Sequence, residues 1–421
     1  MIRTLQRKLY RKAKAEPAFR FYLLYDKIYR ADILRHAYAL ARANAGAPGT
    51  DGMTFAAVEA SGLERWLAGL REELVSKTYR PDPVRRVFIP KPDGGERPLG
   101  IPTIRDRVVQ TAAKLVLEPI FEADFEDNAY GYRPVRGAVD AVKEVHRLIC
   151  RGHTDVVDAD LSRYFDSIPH GELLKSVARR IADRHMLRLI KLWLKAPIEE
   201  RDGDGTRRIG GGKSNARGTP QGGVVSPLLA NIYMNRFLKY WRLTGRGEAF
   251  RAHVIAYADD FVILSRGCAA EALAWTKAAM TRLGLTLNEA KTSLKNARQE
   301  RFDFLGYSFG PHRYKANGHW YLSASPSKKS VQRLKTKVGN LLVPGNNDPW
   351  PEVRDTLNST LLGWSATGRV DRYSAVLTNT SMSACATSSP DGTKWQGVAH
   401  TGSPVTLSME NVVYCVSNAC P

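Results

Sequence analysis

This 421-residue chain has few cysteines and no long apolar run. The five cysteines are an odd number and contain no Cys-x-x-Cys pair, so neither a disulfide framework nor a zinc site is predicted. No stretch approaches the roughly 18 uninterrupted apolar residues of a transmembrane helix, and no apolar segment of a secretory signal follows the basic N-terminus. We therefore expect a folded, enzyme-sized, cytoplasmic protein without a membrane partner.

Acidic residues are scarce relative to basic ones. Lys and Arg number 63 and Asp and Glu 42, which gives a formal net charge of +21 at pH 7 and a pI near 9.8. Such a surface attracts polyanions, nucleic acid ahead of an anionic membrane. Hydrophobic residues, at 43%, match an ordinary folded protein and argue against wholesale disorder.

Helical periodicity and proline positions give a partial secondary structure. A helix is predicted over Asp106–Leu117, stopped by Pro119, and another from Glu172 toward Leu194. An amphipathic helix with basic outer faces is predicted near Ser327.

Acidic residues occur in two segments whose patterns are typical of strands. The run His253–Leu264 is typical of a hairpin around Asp259 and Asp260, and the alternating run Thr154–Leu161 carries Asp160 near its end. An Asp-Asp pair alone is usually a solvated turn, but neighbouring strands would bring Asp160 beside it. Three such carboxylates can hold two magnesium ions roughly 3.5–4 Å apart, an arrangement that makes phosphodiester bonds. Two further acids could compete for the ligand role, Asp158 and Asp166.

Four motifs follow one another in order. They are Arg97-Pro-Leu-Gly-Ile-Pro-Thr-Ile-Arg-Asp-Arg-Val-Val-Gln110, Asp160-Leu-Ser-Arg-Tyr-Phe-Asp166, Gly218-Thr-Pro-Gln-Gly-Gly-Val-Val-Ser-Pro-Leu-Leu-Ala-Asn231 and Tyr257-Ala-Asp-Asp260. In this combination the chain resembles the reverse transcriptases of bacterial group II introns, over about residues 47–364. The resemblance implies an α+β right-hand polymerase with fingers, a palm built on an antiparallel sheet, and a partial helical thumb.

The resemblance also implies catalytic roles. Asp160, Asp259 and Asp260 would be the catalytic ligands of two Mg²⁺ ions, for which Mn²⁺ is a possible substitute. Lys291 matches a lysine proposed in related polymerases to protonate the departing pyrophosphate. General acid chemistry suits lysine, although a surface lysine is the commoner outcome.

Four residues would bind the incoming nucleotide. Lys91 and Arg97, on a short finger turn, would hold the triphosphate, while Gln221 would contact template and nucleotide. Phe165 would lie beneath the sugar, where its ring would clash with a 2′-hydroxyl and so select dNTPs. An exposed basic turn, a helix-entry loop and a core aromatic are the respective structural alternatives.

Template and primer contacts are implied at further positions. Gly222 and Gly223 would let the backbone approach the templating strand, because glycine has no Cβ. The remaining members of this set are Tyr257, Leu305, Gly306, Lys328 and Lys329.

Four regions are expected. They are a basic N-terminal RNA-binding extension at 1–46, fingers and palm at 47–325, a partial thumb or maturase domain at 326–377, and a low-charge tail at 378–421. The tail has no arginine and only Asp391, Lys394 and Glu410 as charged residues. Out-of-frame translation is one hypothesis for it and a genuine C-terminal extension the other; the DNA of the locus would decide between them.

The sequence therefore predicts an RNA-directed DNA polymerase that adds dNTPs to a 3′-OH primer on an RNA template. Its partners would be intron RNA, a DNA primer or target, and dNTPs, and its roles would include splicing and retrohoming. The alternatives are a non-catalytic RNA-binding maturase or chaperone, a decayed inactive copy, and a reverse transcriptase domesticated by its host.

Overall fold

The computed structural model describes residues 1–90, 94–201, 207–313, 318–343, 346, 348–368, 386–388 and 395–397. Its helices are α1 Ile2–Ala15, α2 Tyr25–Ile28, α3 Ala31–Ala43, α4 Phe55–Ala60, α5 Leu63–Val75, α6 Ile104–Glu122, α7 Ala138–Cys150, α8 Tyr164–Ser167, α9 His170–Ala178, α10 Arg184–Leu194, α11 Ser226–Leu243, α12 Arg246–Ala249, α13 Ala269–Arg282, α14 Lys328–Leu341 and α15 Trp350–Gly368. The strands are β1 Val84–Pro90, β2 Glu96–Ile101, β3 Asp155–Asp160, β4 Pro197–Arg201, β5 Arg207–Gly211, β6 Ala252–Tyr257, β7 Asp260–Ser265, β8 Ser293–Asn296, β9 Phe302–Phe304, β10 Tyr307–Arg313, β11 Trp320–Pro326, β12 Ala386–Ser388 and β13 Trp395–Gly397. No helix in these ranges is long and apolar enough to cross a membrane.

Contacts divide the chain into two units, 1–137 with 157–294, and 138–156 with 295–421. The first unit has a large apolar core built from its helices and from β3, β6 and β7. Helix α6 lies at the centre of that core and is buried on nearly every face, which is why its sequence is apolar on more than one side.

Two four-stranded sheets frame the predicted active-site motifs. In one the strand order is β2-β1-β4-β5, with β1 antiparallel to β2 and parallel to β4. In the other the order is β6-β7-β3-β8, with β6 and β7 forming an antiparallel hairpin. The hairpin around Asp259 and Asp260 and the strand that ends at Asp160 are as the sequence predicts, and the α+β class is confirmed.

The second unit contains the antiparallel sheet β11-β10-β9, helix α7 beside β11, and the paired strands β12 and β13. Helix α14 begins after Ser327, whose side-chain oxygen accepts the Ser330 N–H at 3.2 Å. Four buried side chains join α14 to α15, namely Leu334, Val338, Leu357 and Leu361. The helix predicted near Ser327 is therefore present. Apart from β12 and β13, the tail at 378–421 lies outside the described residues.

Pro119 does not stop a helix, contrary to the sequence prediction. Helix α6 continues through it to Glu122. A proline inside a helix has no N–H to donate to the carbonyl four residues earlier, here that of Leu115. The side-chain amide of Gln6 in α1 donates to the Leu115 oxygen instead, at 3.1 Å. The missing bond is thus replaced from a distant part of the chain.

The prediction of a single helix from Glu172 toward Leu194 is also wrong. The chain forms two helices there, α9 and α10, with a break between them. Asp183 begins the second one: one carboxylate oxygen accepts the N–H groups of His185 and Met186 at 2.9 and 3.2 Å. Its other oxygen accepts the N–H groups of Leu24 and Tyr25 at 2.9 and 2.8 Å. One buried carboxylate therefore joins α2 to α10.

Replacing Asp183 should destabilise the fold in a pH-dependent way. Burial raises the pKa of Asp183, but its four backbone N–H donors outweigh burial, so the pKa lies below the usual range. The ionised group stabilises the protein above an ordinary carboxyl pKa of about 4, and this contribution is lost as the pH falls through the lower folded-state pKa. We expect Asp183→Ala to lower the free energy of unfolding by about 3 kcal/mol at pH 7 in urea titrations.

The exposed acid Glu289 provides the control, because its one ion pair is to Lys277 on the surface. Glu289→Ala should cost less than about 1 kcal/mol. An effect of Asp183→Ala that is equally large at pH 7 and pH 3 would contradict the role of the charge.

Candidate active site

The β6–β7 hairpin holds the pair of adjacent acids. Tyr257 and Asp260 are paired across it, and Ala258 at its tip has a left-handed backbone with φ of 58°. Asp160 is the last residue of β3, which lies next to β7 in the sheet. Acids from two distant stretches of the chain are therefore brought to one site, as the sequence predicts.

The carboxylates of this site repel one another. Burial raises the pKa of Asp259, and the charge of Asp160 raises it further. For Asp260, whose surface is partly exposed, desolvation by surrounding protein atoms and then the charges of Asp259, Asp160 and Asp158 raise the pKa to about 6. The two cations Arg97 and Lys291 act on Asp259 in the opposite direction. The site thus carries excess negative charge.

Within the described ranges, no group of three or more His, Cys, Asp or Glu side chains is arranged to hold a metal ion. Magnesium commonly uses one or two carboxylates together with substrate phosphates and water rather than an all-protein cage. The acids therefore fit a cation that is shared with a phosphate-bearing substrate.

Asp160 is held by a short segment after α13. The Asn288 N–H donates to the Asp160 carbonyl at 2.8 Å, and the Asn288 side chain donates to Asp160 Oδ2 at 3.2 Å. Lys291 Nζ lies 3.2 Å from the same oxygen, although 65% of the Lys291 side chain is exposed. The structure therefore places Lys291 beside the predicted metal ligands. Asn288 is a neighbour of Asp160 that the sequence analysis missed, although it lies three positions before Lys291.

Arg97 lies exposed on strand β2, paired with Ile89, and not on the turn that the sequence predicts. Its charge acts on both Asp259 and the Tyr132 hydroxyl. This places a guanidinium near the acids, where a triphosphate would need one. Lys91, the other predicted triphosphate ligand, lies outside the described residues.

The loop that carries Gln221 packs on β2. The backbone carbonyl of Gln221 accepts the Gly100 N–H at 2.5 Å. Gly222 has φ of 103°, and a Cβ there would collide with the Gly100 carbonyl; a Cβ on Gly223 would lie 2.6 Å from Ser226 Oγ. Packing within the protein therefore already requires both glycines, so approach to a template strand is not the only reason for them.

Phe165 is tied to the same loop. The Thr219 N–H donates to the Phe165 carbonyl at 2.7 Å, and the Gly218 N–H donates to the Ile168 carbonyl at 2.8 Å. The buried His170 ring donates from Nε2 to the Gly218 carbonyl at 2.6 Å. The segment with the predicted sugar-selecting ring and the segment with Gln221 therefore form one connected structure.

Tyr132 is a further aromatic residue at this site. Its ring centroid lies 6.4 Å from that of Phe165 and 6.5 Å from that of Tyr257. Burial of the hydroxyl and then the charge of Asp259 raise the pKa of Tyr132. The sequence analysis missed it, because its only signal is a Gly-Tyr-Arg-Pro string whose position in space depends on distant pairing.

The other predicted template and primer residues belong to the second unit. Leu305 and Gly306 form a turn with φ values of 49° and 83°. The Gly306 carbonyl accepts the Ser327 N–H at 2.9 Å and the Ser330 hydroxyl at 2.8 Å, which ties the turn to the start of α14. Two exposed lysines occupy the first turn of that helix, Lys328 and Lys329.

Comparison with known proteins identifies the family of the chain. The model of the family "Reverse transcriptase (RNA-dependent DNA polymerase)" matches residues 89–309. Protein YkfC of Escherichia coli (strain K12) is 35% identical over 367 residues, covering 78% of this chain and 94% of YkfC. Group II intron-encoded protein LtrA of Lactococcus lactis subsp. cremoris is 36% identical over 221 residues, covering 52% of this chain and 35% of LtrA. The chain thus spans almost all of YkfC but about a third of LtrA.

A solved structure of apo telomerase from Candida tropicalis is also similar, at 13% identity and a TM-score of 0.44, covering 57% of this chain and 55% of that one. The resemblance to group II intron reverse transcriptases is confirmed by the family match and by LtrA, and with it the α+β right-hand polymerase class. The chain belongs to the reverse transcriptase family, the RNA-dependent DNA polymerases.

Proposed function

We propose that this chain is an RNA-directed DNA polymerase of the group II intron type, which adds dNTPs to a primer 3′-OH on an RNA template. The observation that carries the proposal is the position of Asp160 at the end of β3, next to β7, whose hairpin with β6 holds Asp259 and Asp260. A family match over residues 89–309 supports the same reaction class.

The three acids would hold two Mg²⁺ ions, with Mn²⁺ as a substitute. Burial, and after it repulsion from neighbouring acids, raises the pKa of Asp259 and of Asp260. A bound cation would relieve that repulsion, which favours its binding. Bound divalent ions would supply Lewis-acid stabilisation of the charge that develops on the transferring phosphate. The role of the carboxylates is to fix where this stabilisation acts relative to the primer end.

Lys291 would donate a proton to the departing pyrophosphate. Its Nζ already lies 3.2 Å from Asp160 Oδ2, so the lysine is oriented toward the reacting centre before substrate arrives. A positioned acid of this kind typically contributes roughly 10²- to 10⁴-fold to a rate.

The incoming dNTP would lie between the exposed finger strand and the palm. Arg97, with Lys91, would bind the triphosphate, and Gln221 would contact nucleotide and template. Phe165 would lie beneath the sugar, where its ring leaves no space for a 2′-hydroxyl. The hydrogen bonds that join Phe165 to the loop of Gln221 support this assignment, because both would then contact the same nucleotide.

Template and primer would be bound by backbone groups and basic side chains of the protein. In the first unit, Gly222, Gly223 and Tyr257 would contact template or primer. In the second unit, taken by itself, the same kind of contact is proposed for Leu305, Gly306, Lys328 and Lys329. The net charge of +21 supports a polyanionic partner. Intron RNA would be that partner and also the template, a DNA target would supply the primer, and splicing and retrohoming would be the associated roles.

Removal of Asp259 should abolish DNA synthesis. We expect Asp259→Ala to reduce dTTP incorporation on poly(rA)/oligo(dT) by at least about 10³-fold, because a lost charge at the transferring phosphate acts directly on the barrier. The matched control is Glu271→Gln, which changes an exposed acid in the first turn of α13 and should leave the rate unchanged. Equal activity of Asp259→Ala and wild type would contradict the proposal; no synthesis by either would favour a non-catalytic maturase.

Loss of Lys291 should affect the chemical step. We expect Lys291→Ala to lower kcat by about 10²-fold, with little change in the KM for dTTP. Lys277→Ala, which removes an exposed, ion-paired lysine, serves as the control. A fall in melting temperature with kcat unchanged would instead assign Lys291 a structural role beside Asp160.

A smaller side chain at Phe165 should relax sugar selection. We expect Phe165→Val to lower the preference for dTTP over UTP by roughly 10- to 200-fold, because steric rejection of one small group has about that effect. Phe165→Tyr keeps the ring and should keep the preference. If Phe165→Val discriminates as well as wild type, the ring belongs to the core alone.

A further inference from the structure

Tyr132 has an unusual backbone for a large aromatic residue. Its φ is 54°, in the left-handed region that non-glycine residues rarely adopt, and 50% of the residue is exposed. Val135, three positions later, also has a positive φ of 62° and is fully exposed. Strained conformations of this kind persist only where neighbouring structure imposes them, and they are concentrated at functional sites.

One anchor of Tyr132 is the palm hairpin. The Tyr130 N–H donates to the Ala256 carbonyl at 2.8 Å, and the Ala256 N–H donates to the Asn128 carbonyl at 2.9 Å, so this loop runs along β6. Gly131 fits directly against the backbone of Tyr257 and Ala258, where a Cβ would collide with it. The loop is thereby positioned against the turn that carries the catalytic acids.

A second anchor comes from helix α11 and a third from a buried arginine. The buried Asn231 side chain donates to the Gly131 carbonyl at 2.7 Å. Arg133, with 3% of its side chain exposed, pairs with Glu122 at 2.6 Å and donates to the carbonyls of Glu126 and Ala129, both at 2.7 Å. These bonds on both sides of Tyr132 hold its backbone in the strained conformation.

These bonds orient the Tyr132 ring toward Phe165, on the side of the site where the nucleotide is proposed to bind. The Tyr132 ring meets that of Phe165 nearly edge-on, at an interplanar angle of 80° and a centroid distance of 6.4 Å. The charges of Asp259 and Arg97 both act on the Tyr132 hydroxyl. The ring thus lies among the groups proposed to hold the metal, the triphosphate and the sugar of one nucleotide.

We infer that Tyr132 is a specificity-determining residue whose ring contacts the sugar of the incoming nucleotide, beside Phe165. This inference rests on the proposed polymerase function. The two rings, at nearly right angles, form two walls of one sugar pocket, so removal of either opens the space that a 2′-hydroxyl requires. An exposed aromatic face held in a fixed orientation contacts a nucleoside at low entropic cost.

The test is single-nucleotide incorporation on poly(rA)/oligo(dT) with dTTP or UTP, combined with thermal melting and primer–template affinity. Tyr132→Ala and Tyr132→Gly should raise the KM for dTTP about tenfold, leave kcat and primer–template Kd nearly unchanged, and lower the preference for dTTP over UTP. Tyr132→Phe should behave as wild type. Tyr132→Gly should also melt no lower than wild type, because glycine adopts a positive φ without strain.

The control is Tyr240→Ala, which removes another partly exposed tyrosine, one that stacks on Trp275 outside the site. It should leave the KM for dTTP unchanged. A lower melting temperature of Tyr132→Gly with an unchanged KM would overturn the inference and assign the ring a packing role. A raised primer–template Kd with an unchanged KM would also overturn it, in favour of a primer contact. Absence of synthesis by the wild-type protein would contradict the proposed function itself, and this inference with it.

Discussion

The crowding of partly buried carboxylates is the constraint on which the active site depends. Burial first, and then the charge of Asp160, disfavours the ionisation of Asp259, while burial and then the charges of Asp259 and Asp160 disfavour that of Asp260. Holding like charges together costs free energy, and the packing of the surrounding sheet must offset it; the fully buried segment Phe261–Leu264 is part of that packing. Lys291 and Arg97 lower the pKa of Asp259, and Lys291 lowers that of Asp260, yet both pKa values stay above the ordinary value. A cation bound with the substrate, as proposed above, would relieve the repulsion that contributes to these shifts.

Local pattern was enough to predict the elements that carry these acids. The hairpin around Asp259 and the alternating strand before Asp160 depend on period-two alternation within a few residues, and the structure has both. Features that depend on distant partners were not predictable in this way. Pro119 lies inside helix α6, where Gln6 donates to the carbonyl that Pro119 cannot reach. The helix break before Asp183 coincides with hydrogen bonds from Leu24 and Tyr25 to that carboxylate.

The same distinction applies within the site. Lys291 was identified as a site residue by its match to a lysine of related polymerases, whereas Tyr132 was missed. No spacing rule places Tyr132 near Asp259, because its position results from pairing of its loop with β6 and from the side chain of Asn231. Gly222 shows the converse case: the residue was predicted, but its packing against the Gly100 carbonyl was not visible in the sequence.

The segment that carries Phe165 and the loop that carries Gln221 are joined by a network of backbone hydrogen bonds. The backbone of Phe165 and Ile168 is bonded to that of Thr219 and Gly218, and the His170 ring closes the same connection. A shift of the loop that carries Gln221 would therefore move Phe165, because short hydrogen bonds between buried groups do not stretch without a large cost in free energy. Under the proposed function, a mispaired template base that displaced the loop would therefore also disturb the proposed sugar contact of Phe165.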